Sequence, residues 1–258
     1  MEVWKYTFLA KVAAMSKIYE ALQNVHRQKK DGAEAFFPAV PVPFAPPEAA
    51  GFGMEDEMLS LFKIVDTLLP QGKSKIVQFI GAREGEGTST IVREFARVAA
   101  DLIGNSVLLL DADRHHPSQD RFFDIHKSSG WLDALKTAEF TGDLFHRVGE
   151  SRLFVSPSSN SAGYTPEMFD SRFDSMCENF RNDFDLVLID SAPLMVSPDG
   201  LAIASKVDGV IIVVEAEKTR YQTVRQVRDN IFRVGGNILG VILNKRRFYI
   251  PQSIYKYL

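Results

Sequence analysis

The segment Gly81-Ala82-Arg83-Glu84-Gly85-Glu86-Gly87-Thr88-Ser89-Thr90 joins an apolar run, Lys75–Gly81, to a stretch with helical spacing. A phosphate group needs backbone N–H groups converging from a turn that no side chain obstructs, with a helix N-terminus behind them. Gly85 and Gly87 supply such a turn, and Ser89 stands where a hydroxyl would ligate Mg2+. Against the pattern G-x-x-x-x-G-K-[ST], two positions depart: Ala82 replaces the first glycine and Thr88 replaces the lysine. The missing ammonium matters, because charge neutralisation is most of what a protein contributes to phosphoryl transfer. Arg83 could return a cation, and the sequence leaves open whether it points inward or to solvent. A plain glycine-rich strand-to-helix turn is the blander reading.

Two further apolar runs end in acids. One is Val107-Leu-Leu-Leu-Asp111-Ala-Asp113 and the other is Leu186-Val-Leu-Ile-Asp190-Ser-Ala-Pro193. Carboxylates at strand ends beside a phosphate loop can hold Mg2+, directly or through water, and can take a proton from an attacking hydroxyl. One such strand alone would be read as an aspartate capping a turn or the next helix. Two of them with the loop favour a nucleotide–magnesium site. Its candidate residues are Arg83, Gly85, Glu86, Gly87, Thr88, Ser89 and Thr90 for nucleotide, Ser89, Asp111 and Asp190 for metal, and Asp111, Asp113 and Asp190 for catalysis.

These residues need a scaffold that brings strand ends together. Short continuous apolar runs at 75–81, 107–111, 153–156, 186–190, 209–214 and 238–243 alternate with helical patterns near 55–69, 89–103, 166–180, 198–205 and 219–234. That alternation predicts an α/β fold with a mostly parallel central sheet and helices on both faces. Ligands of such sheets bind beyond the carboxyl ends of the strands, where all the candidate chemistry sits. Upstream, residues 1–30 read as a helical segment, and 31–53, with Pro38, Pro41, Pro43, Pro46 and Pro47, as a semi-extended linker. The nucleotide-binding domain is expected over 54–247, with a tyrosine-containing tail at 248–258.

Composition narrows the partners. Hydrophobic residues are 45%, charged residues 24% and net charge is −3, an ordinary globular balance with no global basic field for nucleic acid. The single cysteine, Cys177, excludes an internal disulfide and reads as core. No apolar run approaches the ~18 residues that span a bilayer. The expected location is the cytoplasm. His26, His126 and His146 lack ligand spacing and read as surface residues; Lys245, Arg246 and Arg247 could meet phosphate or membrane lipid, but a solvated charged face is the preferred reading.

The segments E-G-E-G-x-S-T, L-L-L-D-A-D-x-x-x-P and D-L-V-L-I-D-S-A-P, followed by V-D-G-V-I-I-V-V and G-V-I-L-N, resemble the bacterial tyrosine autokinases of capsule and exopolysaccharide synthesis. The resemblance covers about residues 55–258, and its fold is shared with septum-site and partition ATPases. It also matches Met15-Ser-Lys-Ile-Tyr-Glu-Ala-Leu, so 1–14 reads as an upstream extension. It implies ATP and Mg2+ as cofactors, phosphates on Gly85–Ser89, metal on Ser89, Asp111 and Asp190, and activation of the acceptor tyrosine by Asp111 and Asp113. Asn244 would recognise adenine. Tyr249, Tyr255 and Tyr257 would be phosphosites, although they could equally pack on the domain. The implied partner is a membrane polysaccharide co-polymerase, recruiting the chain to the inner membrane face, and homo-oligomers are implied too.

Departures from the resemblance put catalysis in question. Thr88 replaces the lysine, His115 and His116 replace arginines, and Glu57, Ser60 and Lys63 stand where an acid and two arginines assemble rings. Two other functions stay open: a regulatory nucleotide-binding module with little turnover, and a partition-type switch ATPase. The second would carry a lysine where Arg83 stands.

Overall fold

The computed structural model describes residues 40–42 as backbone, and residues 54–72, 74–126, 129–137, 144–158 and 171–246. The expected N-terminal helix, most of the proline-rich stretch and the tail with Tyr249, Tyr255 and Tyr257 lie outside the described residues.

One sheet organises the chain. Its strands are β1 (Val40–Val42), β2 (Lys75–Gly81), β3 (Val107–Ala112), β4 (His146–Val148), β5 (Leu153–Ser156), β6 (Leu186–Ser191), β7 (Gly209–Glu215) and β8 (Ile238–Asn244). They lie in the order β1-β4-β5-β3-β6-β2-β7-β8, and every neighbouring pair is parallel except β4 with β5. The expected α/β architecture is what the chain adopts.

Alternation along the strands feeds two cores. Val77, Phe79, Leu109, Leu188 and Val213 face α1 (Met54–Leu68) and α2 (Thr88–Arg97), meeting Val65, Ile91, Val92 and Phe95. The opposite residues of the same strands, Ile76, Leu108, Leu110, Val187 and Ile189, meet a second layer. After the four-residue α3 (Gln119–Phe122), that layer is built by α4 (Trp131–Thr137) and α5 (Ser171–Asp183), with Trp131, Phe173 and Phe180 inward. Then α6 (Asp199–Ala204) and α7 (Tyr221–Arg233) cover Ile80, Val210, Ile212 and Val214. A strand buried on both faces must be apolar at consecutive positions, which is why these strands read as unbroken hydrophobic runs.

Some expectations shift. The helix expected over 166–180 is seen at Ser171–Asp183, and α2 stops at Arg97, its continuation Val98–Leu102 winding as a π-helical turn. Strands β1 and β4 and helix α4 are additions. His146, expected at the surface, is buried in β4, whereas His126 is exposed. Cys177 is core, as expected, and burial pushes its thiol up to about 12, so it is no nucleophile at neutral pH.

Candidate functional site

Parallel register brings the two acids level. Asp111 of β3 pairs with Asp190 of β6, and Asp190 lies opposite Phe79 of β2, two residues before the strand gives way to the glycine loop. The loop turns through left-handed glycines, Gly85 (φ 78°) and Gly87 (φ 89°), and Gly87 caps α2. A side chain at Gly87 would collide with Asn244 Nδ2, 2.4 Å from where its Cβ would stand, so both φ and space demand glycine. The first-turn amides of α2, Thr88 to Thr90, follow directly on the loop and have no partner within the helix, the arrangement that suits an anion.

The Glu86 side chain is almost fully buried. Its Oε2 accepts from the amides of Ala82 (2.6 Å) and Arg83 (2.8 Å), and its Oε1 from the Thr219 hydroxyl (2.5 Å). The carboxylate therefore braces the loop from within and ties it to the turn after β7. Thr88 is buried, with its hydroxyl 2.8 Å from where a Gly81 Cβ would stand. Arg83 is exposed. Asn244 donates from Nδ2 to the Glu86 carbonyl (2.9 Å) and accepts at Oδ1 from the Lys245 amide (2.8 Å).

The carboxylates are held by the backbone around them. Asp111 Oδ1 accepts from the Asp113 amide (3.0 Å), and Oδ2 from the amides of Ser118 (2.9 Å) and Gln119 (3.0 Å). Asp113 Oδ1 accepts from the amides of His115 and His116. Asp111 and Asp113 thus cap the turn after β3, as the blander reading expected. Asp190 Oδ2 accepts from Gln119 Nε2 (2.8 Å), which also donates to the Ser89 carbonyl (3.2 Å). Asp190 Oδ1 is buried with no hydrogen-bond partner among the described residues.

That orphaned oxygen is where a cation fits. A buried carboxylate oxygen without a donor is costly unless an ion or water meets it. Ser89, Asp111 and Asp190 offer hard oxygen ligands of the kind Mg2+ takes. Among the described residues no cluster of three His, Cys, Asp or Glu could hold a metal by itself, so a divalent ion here needs phosphate oxygens and water to complete its shell.

Electrostatics at the pair set a pH dependence. Burial, and then the neighbouring Asp190, push Asp111 up to about 8 against three backbone donors. Burial pushes Asp190 up to about 6 against the Gln119 amide and the nearby Ser89 hydroxyl. Burial also lowers the Arg93 guanidinium, whose charge Asp190, Glu94 and Asp111 favour. In the unfolded chain both aspartates ionise near pH 4. The folded protein keeps protons that the unfolded chain has lost, so this contribution to stability is complete below ~pH 4 and is lost as pH rises through about 6 to 8. The melting temperature of the nucleotide-free protein is therefore expected to fall between roughly pH 5.5 and 8.5. Asp190→Asn should flatten that slope, and equal slopes in the two proteins would refute the pairing.

Several residues here carried no signal in the sequence. Gln119, fully buried, links Asp190, Ser89 and Arg93, whose Nε donates to Gln119 Oε1 (2.9 Å) while its guanidinium lies 3.7 Å from the Phe122 ring centre. Trp131 Nε1 donates to the Asp111 carbonyl (2.8 Å). Lys245 is exposed, as expected, and also reaches the loop: its Nζ donates to the Gly85 carbonyl and lies 3.6 Å from Glu215 Oε2.

No protein-family model matches the chain. The tyrosine-protein kinase CpsD of Streptococcus agalactiae is 31% identical over 187 residues, covering 72% of this chain and 80% of CpsD. The succinoglycan biosynthesis transport protein ExoP of Rhizobium meliloti is 30% identical over 185 residues, covering 70% of this chain and 23% of ExoP. The crystal structure of the chimerical protein CapA2B2 shares the fold, with a TM-score of 0.71 and 19% identity over 82% of this chain and 96% of that one. Strand-end aspartates, a glycine loop and kinship with CpsD over most of its length together mean that the chain belongs to the bacterial tyrosine-protein kinases of capsule and exopolysaccharide synthesis.

Proposed function

We propose that this chain binds ATP with Mg2+ between the loop 85–89 and the Asp111–Asp190 pair, and phosphorylates tyrosines of its own tail in the control of polysaccharide assembly. The observation that carries the reading is the buried, unpartnered Asp190 Oδ1, set level with Asp111 and within the same hydrogen-bond network as Ser89. Bound Mg2+ would neutralise phosphate charge and orient the γ-phosphoryl group. Ser89, Asp111 and Asp190 would hold it, and the amides of Gly85 to Thr90 would cradle the phosphates.

The chain's own groups divide the rest of the work. The tyrosine oxygen attacks the γ-phosphorus, the bond from that phosphorus to the β–γ bridging oxygen breaks, and ADP leaves. The tyrosine proton passes to a carboxylate. Asp113 is better placed than Asp111 to accept it, because both Asp111 oxygens are taken by three backbone amides. Asn244, now on the Glu86 carbonyl, would turn its amide to adenine.

A membrane polysaccharide co-polymerase is the partner this reading calls for, supported by kinship with a transport protein of which this chain matches 23%. Among the described residues no helix is long and apolar enough to cross a membrane. Recruitment to the cytoplasmic face of the membrane belongs to the same reading. Homo-oligomers belong to the same reading, whereas nucleic acid does not. Thr88 in place of lysine favours a second reading, a nucleotide-binding regulatory module with negligible transfer.

Incubation with radiolabelled Mg-ATP separates the two. Label is expected as phosphotyrosine on Tyr249, Tyr255 or Tyr257 and is expected to vanish when all three are phenylalanine. Saturated ATP binding with no phosphotyrosine would overturn the kinase reading in favour of the regulatory one.

A further inference from the structure

We propose that Lys245 supplies the phosphate-binding cation that Thr88 removes from the loop. The inference rests on the reading that this loop binds ATP.

The loop itself offers no replacement. Thr88 is buried and too short to reach a phosphate beyond the loop. Arg93 is buried behind the carboxylates, its Nε committed to Gln119 and its guanidinium stacked on Phe122. Arg83 is exposed, as Lys245 is, but among the described residues no hydrogen bond or ion pair holds its guanidinium at the loop; only its backbone amide is engaged there, on Glu86. A polyphosphate would meanwhile meet acids on several sides, with Glu86, Asp111 and Asp190 buried within the site. Beyond the metal ion, an ammonium beside the loop would offset part of that repulsion.

Lys245 comes from the far end of the chain and arrives at the loop with its ammonium in place. Strand β8 delivers it: Asn244 is tied to the Glu86 carbonyl, and Lys245 follows in a left-handed conformation, φ 56°. Lysine seldom adopts that backbone, and such strain persists only where surroundings enforce it. The turn lays the side chain along the loop. Its Cε lies 3.8 Å from where a Gly87 Cβ would stand, and its Nζ donates to the Gly85 carbonyl beside Glu215.

Both present partners are weaker than a triphosphate. One is a neutral carbonyl, and the other a carboxylate 3.6 Å away. A lysine ammonium on a four-carbon stem is a mobile point charge, able to leave the rim of the loop for a phosphate oxygen. Geometry thus returns to the loop, from the end of β8, the charge that its own sequence lacks.

The competing account is a clamp, with Lys245 merely tying β8 to the loop. Titration of fluorescent Mg-ATP into wild type, Lys245→Met, Lys245→Arg and the double variant Lys245→Met/Thr88→Lys tells them apart. Lys245→Met is expected to weaken binding roughly 10- to 100-fold, the size of a lost charge-assisted hydrogen bond. Its nucleotide-free melting temperature should be unchanged, since the side chain is half exposed. Lys245→Arg should keep most of the affinity, and Thr88→Lys should recover it in the methionine background. Unchanged affinity in Lys245→Met, or a loss that neither cation recovers, would overturn the inference while leaving ATP binding intact. Absence of Mg-ATP binding by wild type would instead bring down the reading on which it rests.

Discussion

Asp190→Asn is expected to reduce phosphotyrosine formation by about 100- to 1000-fold, the scale on which removing one preorganised charge from a phosphoryl-transfer site is felt. Asparagine matches aspartate in size and can keep an oxygen toward Gln119. What it loses is the charge at Oδ1, the buried atom with no donor of its own among the described residues. An amide there offers a cation little. The substitution also relieves repulsion with Asp111, which burial and Asp190 together push up to about 8. Stability should therefore hold or improve above neutral pH while activity collapses. That combination separates a chemical role from a structural one. Rates measured by anti-phosphotyrosine blot beside thermal melts would show it, and activity within about threefold of wild type would contradict the assignment.

Trp131→Ala carries the largest stability effect expected. The indole is fully buried, packs against Phe173 at 6.1 Å between ring centres, and donates through Nε1 to the Asp111 carbonyl at 2.8 Å. Truncation removes the ring, leaves a cavity and orphans a buried carbonyl, so a cost of about 3–5 kcal/mol is expected from urea unfolding. Trp131→Phe separates the terms, because it keeps most of the volume and loses only the donor. Its cost should be about 1–2 kcal/mol. Since the lost hydrogen bond holds the end of β3, the phenylalanine variant should also weaken nucleotide-dependent activity more than its small stability loss explains. A tryptophan-to-alanine cost below ~1 kcal/mol would mean that α4 is not anchored as described.

The sequence disclosed what is local in the chain. Strands buried on both faces announce themselves as apolar runs, and Asp111 and Asp190 stand at the ends of two of them. Gly85 and Gly87 mark the loop because no other residue adopts their backbone cheaply. What stayed hidden depends on contacts between distant parts of the chain. Gln119 reaches Asp190 across 71 residues, and Lys245 reaches Gly85 across 160. A glutamine after a proline-serine pair signals no such partner, and a basic triplet signals at most a phosphate or lipid contact, not this loop. Strand β4, three residues long, is too short for any period, so the burial of His146 in it could not be read. Nor does the sequence show that the Glu86 carboxylate turns onto the loop's own amides.

Hydrogen–deuterium exchange with and without Mg-ATP addresses the pocket most directly. The amides of 85–90 and those of 111–119 are far apart in the chain and meet only through the register of β2, β6 and β3. Nucleotide binding is expected to slow exchange in both segments together, and to lose that effect when Mg2+ is chelated. Protection of one segment without the other, or of neither at saturating nucleotide, would contradict a single pocket shared by the loop and the two aspartates.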